Sequence, residues 1–543
     1  MGMAEPNTKP EPFVIEAEVA GDWKLAVLKR IINPLPTLKG QIFAMVVVVI
    51  VMGAIIVAYS KGDIEYELID FDQDRARGFA EDLVGLGHPD WKGRMSGSAE
   101  EAATAEYILN YFEELGFIPQ LNTYEVPMHS INSEPSLRAC TPGTVGGFGI
   151  VPCSSTDIGA VIHEFEHRID YVIQGFSGQS DFNFNNNIAI TYLGNGSDNA
   201  SWEAAAGTIG YIEAGGTIGG NTGIMTKAIE NDLAAIIRVN TDYNCGKIEG
   251  DDCVAIFKGT GHEDILNANG GSMPADLAFI AMSKDAGEQL KSMLIDNSGR
   301  IEMQIDVTND QELTIRAPCG TWFGKSDELL IVGAHHDTVY HGPGAVDDTS
   351  GSASVLEMAT QMSEIFKERG DPERTVRFCT WGGEEEGLWG SRAYVEQYQS
   401  ELASNLRLYI NLDMNHVDID TVTRGNALTL FGNDKRDVAH INDIALQYME
   451  ERSHIAEKYE IRLAVLDGDK GDPDGMPYNS DHGPFVYDRG TATNGRAVVC
   501  YGSGSWEYHT YLDDLSRFNE ESLGVSVVIY GSYLNYLAYT QET

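Results

Sequence analysis

Residues 333–351 concentrate side chains that can bind a metal ion or move a proton. This stretch, GAHHDTVYHGPGAVDDTSG, holds three histidines and three aspartates, although the chain of 543 residues has only 13 histidines. Imidazole nitrogens and carboxylate oxygens are common zinc ligands in sites without cysteine. The cluster therefore predicts a metal site, and other segments must decide which of the six residues bind metal.

Three later segments place similar side chains directly after apolar runs. They are Glu384, Glu385 and Glu386 after TVRFCTW, Asp413 after LRLYINL, and Tyr508 and His509 after AVVCYG. The run LLIVGA precedes His335 in the same way. In open α/β sheets, ligands bind beyond the carboxyl ends of the strands. We therefore expect these side chains to meet at one end of a sheet.

The number of carboxylates predicts two metal ions that share a bridging carboxylate. Histidine with carboxylate and no cysteine suits zinc, with cobalt or manganese as substitutes. Two ions about 3.5–4 Å apart can hold a water molecule between them and lower its pKa. A free carboxylate must then accept the proton as the water attacks a carbonyl carbon.

The elements that must position these groups alternate between strand and helix from Asp327 onward. Predicted strands are ELLIVGA, TVRFCTW, LRLYINLDM and RAVVCYG, and predicted helices cover residues 351–366, GSRAYVEQY, VAHINDIALQYMEERS and SLGVSVVIYGSYLNYLAYT. This alternation predicts an α/β fold with a mixed, mostly parallel sheet sandwiched by helices. Upstream, a capping box of Ser98 and Glu101 predicts a helix that ends at Gly116, followed by a strand near Gln120–Val126.

The motifs resemble those of a known peptidase family. GAHHD, GPGAVDDTSG, WGGEEEGLWGS, NLDM and YHT occur in the order found in the zinc-dependent exopeptidases of metallopeptidase family twenty-eight, which includes secreted aminopeptidases and glutamate carboxypeptidases. The resemblance covers about residues 70–130 and 311–543. It implies the zinc-exopeptidase (phosphorylase/hydrolase-like) fold.

The resemblance also implies a role for each matching residue. The implied metal ligands are His335 and Asp413 for one zinc ion, Glu385 and His509 for the other, and Asp347 as the bridge. The implied catalytic group consists of Glu384 as general base, Asp337 as the residue that orients a ligand histidine, and Tyr508 as the hydrogen-bond donor to the oxyanion. In the family, the peptide bond after the bridging aspartate is commonly cis, which here is Asp347-Asp348.

Several other side chains near these motifs are expected to stay outside the metal site. His336 and His341 are interpreted as neighbours of the cluster, His416 as incidental, and Glu386 as added negative charge. His482, in NSDHGPF, lies in a motif that borders the substrate pocket in the family without binding metal.

Residues 131–310 differ in character from the rest and predict an inserted accessory domain. Short apolar runs stand among Gly, Asn, Ser and Thr, and no cluster of histidine and carboxylate residues occurs. NDLAAIIRVN and MPADLAFIAMSKDAGEQL resemble a protease-associated domain. We expect an α+β or β-rich insert between a peptidase part at 64–130 and the di-zinc peptidase domain at 311–543.

The N-terminal region predicts a membrane anchor. Residues 40–60, GQIFAMVVVVIVMGAIIVAYS, carry no charge and are long enough to cross a bilayer as one helix. Basic residues precede this segment and acidic ones follow it, so residues 1–39 are expected in the cytoplasm and the catalytic part outside the cell membrane. The alternative, a cleaved signal peptide, would need a shorter leading region and a small-residue cleavage site.

The net charge limits the classes of ligand to expect, and the positions of the cysteines indicate possible disulfides. The formal net charge of −45 excludes nucleic acid as an expected ligand, because such a surface repels phosphate. Cys140 with Cys153 and Cys245 with Cys253 could each close a short disulfide loop. Cys379 and Cys500 are interpreted as buried small hydrophobic residues, and Cys319 has no assigned place.

The expected function is that of a membrane-anchored di-zinc aminopeptidase acting on the N-terminal residues of peptides, with zinc-bridging water as nucleophile and Glu384 as base. A carboxypeptidase of the same fold is the alternative, and it would need a basic pocket such as one formed by Arg489 and Arg496. Two further alternatives are a one-zinc glutaminyl cyclase and a non-catalytic receptor-like relative that has lost its metal ligands. The oligomeric state stays open.

Overall fold

Nineteen strands occur in the part of the chain that the computed structural model describes, which is residues 65–144, 150–151, 153, 160–213, 220–241, 243–248, 253–296 and 299–540. They are β1 (Ile118–Ile131), β2 (Ser136–Thr141), β3 (Gly143–Thr144), β4 (Ile150–Val151), β5 (Val161–Phe165), β6 (Tyr171–Ile173), β7 (Ser180–Phe182), β8 (Ile190–Tyr192), β9 (Ile209–Glu213), β10 (Ala235–Val239), β11 (Ala278–Met282), β12 (Arg300–Ile305), β13 (Val307–Trp322), β14 (Ser326–His335), β15 (Arg374–Trp381), β16 (Leu406–Leu412), β17 (Ala427–Gly432), β18 (Glu460–Val465) and β19 (Ala497–Tyr501).

Fourteen α-helices and one π-helical turn, Ser292–Asp296, occur in the same described ranges. The helices are α1 (Gln73–Gly85), α2 (Ala99–Leu115), α3 (Asn199–Glu203), α4 (Gly220–Glu230), α5 (His262–Ala268), α6 (Lys284–Lys291), α7 (Thr349–Arg369), α8 (Trp389–Gln397), α9 (Gln399–Asn405), α10 (Thr421–Arg424), α11 (Lys435–Glu451), α12 (Ser453–Lys458), α13 (His482–Tyr487) and α14 (Glu520–Tyr539).

The largest sheet has eight strands in the order β1-β13-β15-β14-β16-β19-β17-β18. Its four central strands, β15, β14, β16 and β19, run parallel to one another. All eight residues of β15 are buried, as expected for a strand covered on both faces. The predicted mixed α/β sheet is therefore confirmed, and it is parallel where the site residues lie.

Helices cover both faces of this sheet. Leu329 and Ile331 of β14 pack in a core that includes Tyr394 of α8, Leu402 of α9 and Phe485 of α13. Alternate residues of a strand point to opposite faces. The second face is covered by α7, which contacts α1, α2 and α14 as well as β14 and β15.

Capping side chains define the starts of α2 and α7. The Ser98 side chain accepts the N–H of Glu101 at the start of α2, and Gly116 ends that helix at a φ of 93°. Only a residue without Cβ adopts this left-handed conformation at little cost. At the start of α7, the Asp348 carboxylate accepts the N–H of Gly351. The predicted helix and its Ser98 cap are confirmed, but the reciprocal half of the capping box is not, because the Ser98 N–H donates to Met95 and the Glu101 carboxylate accepts from Arg316.

The described part of the inserted region forms three further sheets, of which the smallest is the antiparallel pair β3 and β4. Strands β5, β2, β12 and β7 make an antiparallel four-stranded sheet, and β6, β11, β10, β9 and β8 make a five-stranded sheet that is parallel except at β6. The long antiparallel pair β1 and β13 leads out of the eight-stranded sheet and back into it. The region thus has the expected α+β character, and its resemblance to a protease-associated domain stays a prediction.

The predicted cytoplasmic tail and membrane span, residues 1–39 and 40–60, lie outside the described residues. Within the described ranges, no helix combines the length and the apolar character needed to cross a membrane.

The disulfides match the cysteine predictions in part. Cys140–Cys153 and Cys245–Cys253 are bonded as predicted, and Cys500 is buried and free. The interpretation of Cys379 as an unpaired hydrophobic residue is wrong, because Cys379 is bonded to Cys319. The two cysteines face each other on the paired strands β13 and β15, a register that short-range sequence spacing does not indicate.

Candidate metal centre

The site residues lie beyond the carboxyl ends of the four parallel strands. His335 is the last residue of β14, Glu385 follows β15, Asp413 follows β16, and His509 lies on the segment after β19. Because these strands are parallel neighbours, their carboxyl ends meet at one end of the sheet. The convergence predicted from the strand ends is therefore present.

Two groups of possible metal ligands occur among the described residues. The first, called here the His335 group, is His335, Asp348 and Asp413; the second, the His509 group, is Asp347, Glu385 and His509. Within each group, the ligand atoms lie within 4.8 Å of one another. All six residues are buried.

Asp347 lies between the two groups. Its Oδ1 atom is 3.2 Å from His335 Nε2, and its Oδ2 atom is 2.9 Å from His509 Nε2. Each carboxylate oxygen thus faces one histidine, the placement needed for a bridging ligand. Glu385 Oε2 lies 2.8 Å from the same His509 nitrogen.

The peptide bond between Asp347 and Asp348 is cis, as expected from the family resemblance. The side chain of Asp348 has a different environment from that of Asp347. Its carboxylate accepts the backbone N–H groups of His335, Gly351 and Met414. These bonds join the end of β14, the start of α7 and the segment after β16. Asp348 therefore holds the backbone around the site, in addition to lying near His335 and Asp413.

The tautomers of both histidines follow from their hydrogen bonds. His335 Nδ1 lies 3.1 Å from the backbone oxygen of Asp337, and His509 Nδ1 lies 3.0 Å from the backbone oxygen of Phe257. A carbonyl oxygen only accepts hydrogen bonds, so Nδ1 carries the proton in each ring. Nε2 of each ring faces carboxylate oxygens, so a cation bound between them would take the place of the Nε2 proton.

Buried atoms without partners also fit a metal ion. Neither His335 Nε2 nor Glu385 Oε1 has a hydrogen-bonding partner, although both atoms are buried. Unsatisfied buried polar atoms are rare and need an explanation such as a bound ion. The donor set of imidazole nitrogen and carboxylate oxygen without thiolate suits zinc. The residues present therefore fit the predicted metal.

Electrostatics at the site reflect crowded negative charge. Burial, followed by the charge of Asp347, raises the pKa of Asp413 to about 6. Burial lowers the pKa of His509, but the charge of Glu385 together with the contacts to the Asp347 and Glu385 carboxylates raises that pKa to about 9. Both shifts show a site that favours added positive charge.

Glu384 and Tyr508 lie beside the two groups without belonging to them. Glu384 Oε2 is 3.9 Å from His335 Nε2, and burial raises the pKa of its carboxyl group well above the ordinary value. The Tyr508 ring stacks on the His509 ring with centroids 3.8 Å apart. Burial also raises the pKa of Tyr508, so its hydroxyl keeps its proton and can donate it in a hydrogen bond.

Asp337 orients the site through more than one atom. Its backbone oxygen receives the His335 Nδ1–H, while its carboxylate lies 3.5 Å from that nitrogen. The carboxylate accepts the backbone N–H groups of Glu384 and Glu385. Asp337 thus fixes the histidine after β14 and the glutamates after β15 at the same time.

The residues interpreted as neighbours stay outside both groups in the described part of the chain. His336 contacts Glu101, and His416 contacts the backbone oxygen of Val417. His341 is buried without a ring hydrogen bond, and His482 is buried at the start of α13. Glu386 accepts a hydrogen bond from Ser96.

Three supporting features were not predicted from the sequence. The fully buried Arg94 donates to the backbone oxygens of His336 and Pro343 and to Thr349. Asp513 accepts the backbone N–H groups of Val346 and Asp347.

The third feature is a segment of the insert that reaches the site. Phe257 receives the His509 hydrogen bond, and Lys258 Nζ lies 4.1 Å from the centre of the Tyr508 ring. The only available signal was the change in composition that marks the insert, and it does not indicate contact with the site.

The segment that holds the strand ends matches a known family. Residues 319–529 match the model described as peptidase family M28. The matched residues include every member of the His335 group and of the His509 group.

Proteins similar to this chain include aminopeptidases. An aminopeptidase of Pseudomonas aeruginosa (strain UCBPP-PA14) is 27% identical over 242 residues, which are 42% of this chain and 42% of the relative. A probable lipoprotein aminopeptidase of Mycobacterium tuberculosis is 33% identical over 151 residues, 27% of this chain and 29% of the relative. The chain thus spans less than half the length of these relatives.

A solved structure extends the likeness of the M28 fold beyond that segment. A zinc aminopeptidase from Bacillus subtilis has a TM-score of 0.60 at 17% identity, covering 88% of this chain and 97% of that chain. At this identity, the likeness shows the fold.

Proposed function

We propose that the chain is a membrane-anchored di-zinc exopeptidase that removes N-terminal residues from peptides. The position of Asp347 carries the proposal, since one oxygen faces His335 and the other faces His509. The proposed ligands are those expected from the family resemblance: His335 and Asp413 for one ion, Glu385 and His509 for the other, and Asp347 for both.

The chemistry follows from what surrounds these ligands. Zinc held there would lower the pKa of a water molecule and polarise a peptide carbonyl group. Glu384 stands next to the site with a raised pKa, so it can take a proton from the attacking water and pass it to the leaving amine. Tyr508 keeps its hydroxyl proton and can donate a hydrogen bond to the developing oxyanion.

The two arginines considered for a carboxypeptidase pocket have other partners. The Arg489 guanidinium donates to the backbone oxygens of Leu402 and Thr493. The Arg496 guanidinium pairs with Asp434 and Asp437. This use of both arginines supports aminopeptidase action over cleavage at a C-terminal carboxylate.

The decisive experiment combines metal analysis with hydrolysis. Purified protein is expected to hold two zinc ions, and Glu384→Gln is expected to keep them while losing about 10²- to 10⁴-fold in kcat on aminoacyl-nitroanilides. Glu396→Gln, at an exposed position on α8, is the matched control and should behave as the unchanged protein. Absence of zinc, or equal rates for the unchanged protein and Glu384→Gln, would refute the proposal. Cleavage restricted to peptides with a free C-terminal carboxylate would favour the carboxypeptidase.

The anchor rests on the uncharged residues 40–60 and on the charge difference across them. Carbonate extraction of membranes should leave the full chain in the pellet and release a chain that lacks residues 1–60. Protease added to intact cells should reach the catalytic part. Release of the full chain by carbonate would contradict a spanning helix.

A further inference from the structure

The insert contacts the metal centre through a pair of reciprocal hydrogen bonds. The His509 Nδ1–H is donated to the Phe257 backbone oxygen at 3.0 Å, and the Phe257 N–H is donated to the His509 backbone oxygen at 3.1 Å. Both the ring and the backbone of this histidine are thereby fixed by a residue 252 positions away.

The same segment also lies close to Glu385, a second proposed ligand. A Cβ atom on Gly259 would lie 2.9 Å from the Glu385 backbone oxygen, closer than real Cβ contacts allow. Glycine is therefore required for the segment to approach the turn after β15. Phe257 and Gly259 thus contact two of the three members of the His509 group.

The segment is itself held firmly by the insert. The Phe257 side chain is buried in the same hydrophobic core as Ile237 and Ile280 of the five-stranded sheet. The backbone of Lys258 donates to the Gln174 side chain at 2.9 Å and accepts from the Asn221 side chain at 3.2 Å. The position of the His509 ring is therefore set by the core of the insert.

The hydrogen bond decides which ring nitrogen faces the metal site. With Nδ1 protonated toward Phe257, only Nε2 can bind an ion, and the ring cannot rotate without losing that bond. Hydrogen bonds to the far nitrogen of a ligand histidine usually raise metal affinity by orienting the ring.

We propose that the insert segment Phe257–Gly259 is a positioning element of the metal centre and completes the His509 group. The proposal rests on the proposed function, because it assumes that His509 binds zinc. It assigns to the insert a part in metal binding in addition to any contact with substrate. The His335 group needs no such help, since its Nδ1–H bond is made within residues 335–337.

Stepwise zinc affinity tests the proposal by chelator competition with Gly259→Ala. The added Cβ must push the segment away from Glu385, so one ion should bind about 10- to 100-fold more weakly while the other is unchanged. Gly261→Ala is the matched control, because the atoms nearest to its Cβ would belong to the side chains of Asp264 and Thr222 and not to a proposed ligand. Two unchanged affinities in Gly259→Ala would overturn the proposal.

Hydrogen–deuterium exchange gives a second test that does not depend on that variant folding. Coupling between two sites is reciprocal, so zinc should slow backbone exchange in residues 253–261 of the unchanged protein. The slowing should persist in Asp413→Asn and disappear in His509→Gln. Equal exchange of residues 253–261 with and without zinc would overturn the proposal. A chain that binds no zinc at all would instead refute the proposed function.

Discussion

Asp347 lies between the His335 group and the His509 group, but the two groups depend on different parts of the chain. In the His335 group, the imidazole is oriented by the backbone of Asp337, two residues further along. In the His509 group, it is oriented by Phe257, which belongs to the insert. One half of the centre is therefore formed within the peptidase sheet, while the other half requires a second folded region to be in place.

This difference teaches that the ligands of one metal centre can be held in two ways. One half is held by neighbouring residues in the sequence, and the other, called here the assembled half, is held by a remote folded region. Local hydrogen bonds survive as long as the strand end keeps its conformation. A bond between remote segments depends on the packing of both. Perturbations can therefore separate the two groups, and the predictions below run from the largest expected effect on metal binding to the smallest.

Asp347→Asn should remove the distinction by disabling both groups. The asparagine amide is neutral and offers one oxygen where the carboxylate offers two, so both histidines lose the anion that faces them and only one still faces an oxygen. Zinc content measured by mass spectrometry should fall to less than one ion per chain. Asp443→Asn, at an exposed position on α11, is the control. Full occupancy of either ion in Asp347→Asn would show that Asp347 does not bridge.

Asp337→Asn should weaken both groups without emptying them. Its carboxylate accepts the backbone N–H groups of Glu384 and Glu385 and lies 3.5 Å from His335 Nδ1, and the neutral amide weakens both sets of interactions. We expect zinc affinity to fall about 10- to 100-fold for both ions, as is typical when a supporting partner of the ligands is lost. Ser96→Ala, which removes only one bond to Asp337, should have a smaller effect. A lower zinc affinity for only one of the two ions would show that Asp337 supports a single group.

Trp202→Ala should separate the groups by weakening the insert alone. Trp202 is 1% exposed in a core of the insert, and removing it should cost about 3–5 kcal/mol of the unfolding free energy. Zinc titration should show weaker binding in the His509 group and unchanged binding in the His335 group. Leu402→Ala, in the core beside the eight-stranded sheet, serves for comparison. It should not weaken zinc binding in the His509 group more than in the His335 group. Equal weakening of both ions by Trp202→Ala would argue against the assembled half.

Loss of the Cys319–Cys379 disulfide should leave both zinc affinities unchanged. The bond joins β13 to β15 inside the sheet, and replacing both cysteines with serine should lower the unfolding free energy by about 2–4 kcal/mol. Thermal unfolding in zinc-free buffer measures the loss of stability, and chelator competition measures the affinities. A selective loss of one ion would show that the sheet itself transmits strain to the site.

The sequence was sufficient to predict the groups that combine a distinctive side chain with a strand end. His335, Glu385 and Asp413 each follow an apolar run, so the rules of parallel sheets bring them together at one sheet end from the sequence alone. The helix that begins after Ser98 was predictable for a similar reason, since its capping residues are close together in sequence.

The contributions of main-chain atoms and of strand register could not be predicted. Phe257 acts through its carbonyl oxygen and N–H, groups that every residue except proline possesses, so its sequence carries no signal. The pairing of Cys319 with Cys379 depends on the register between β13 and β15. Arg94 was not predicted because its partners are mostly backbone oxygens that only the folded chain brings together.

The order of β14, β15, β16 and β19 along the chain also sets the order in which the proposed ligands are synthesised. His509 is the last of the proposed ligands along the chain, whereas Phe257 precedes all of them. Domains form in the order of synthesis, so the insert can fold while the ligand segments are still being made. A nascent chain then carries the support for His509 before it carries His509 itself. The proposed centre can therefore be completed only after translation has passed β19.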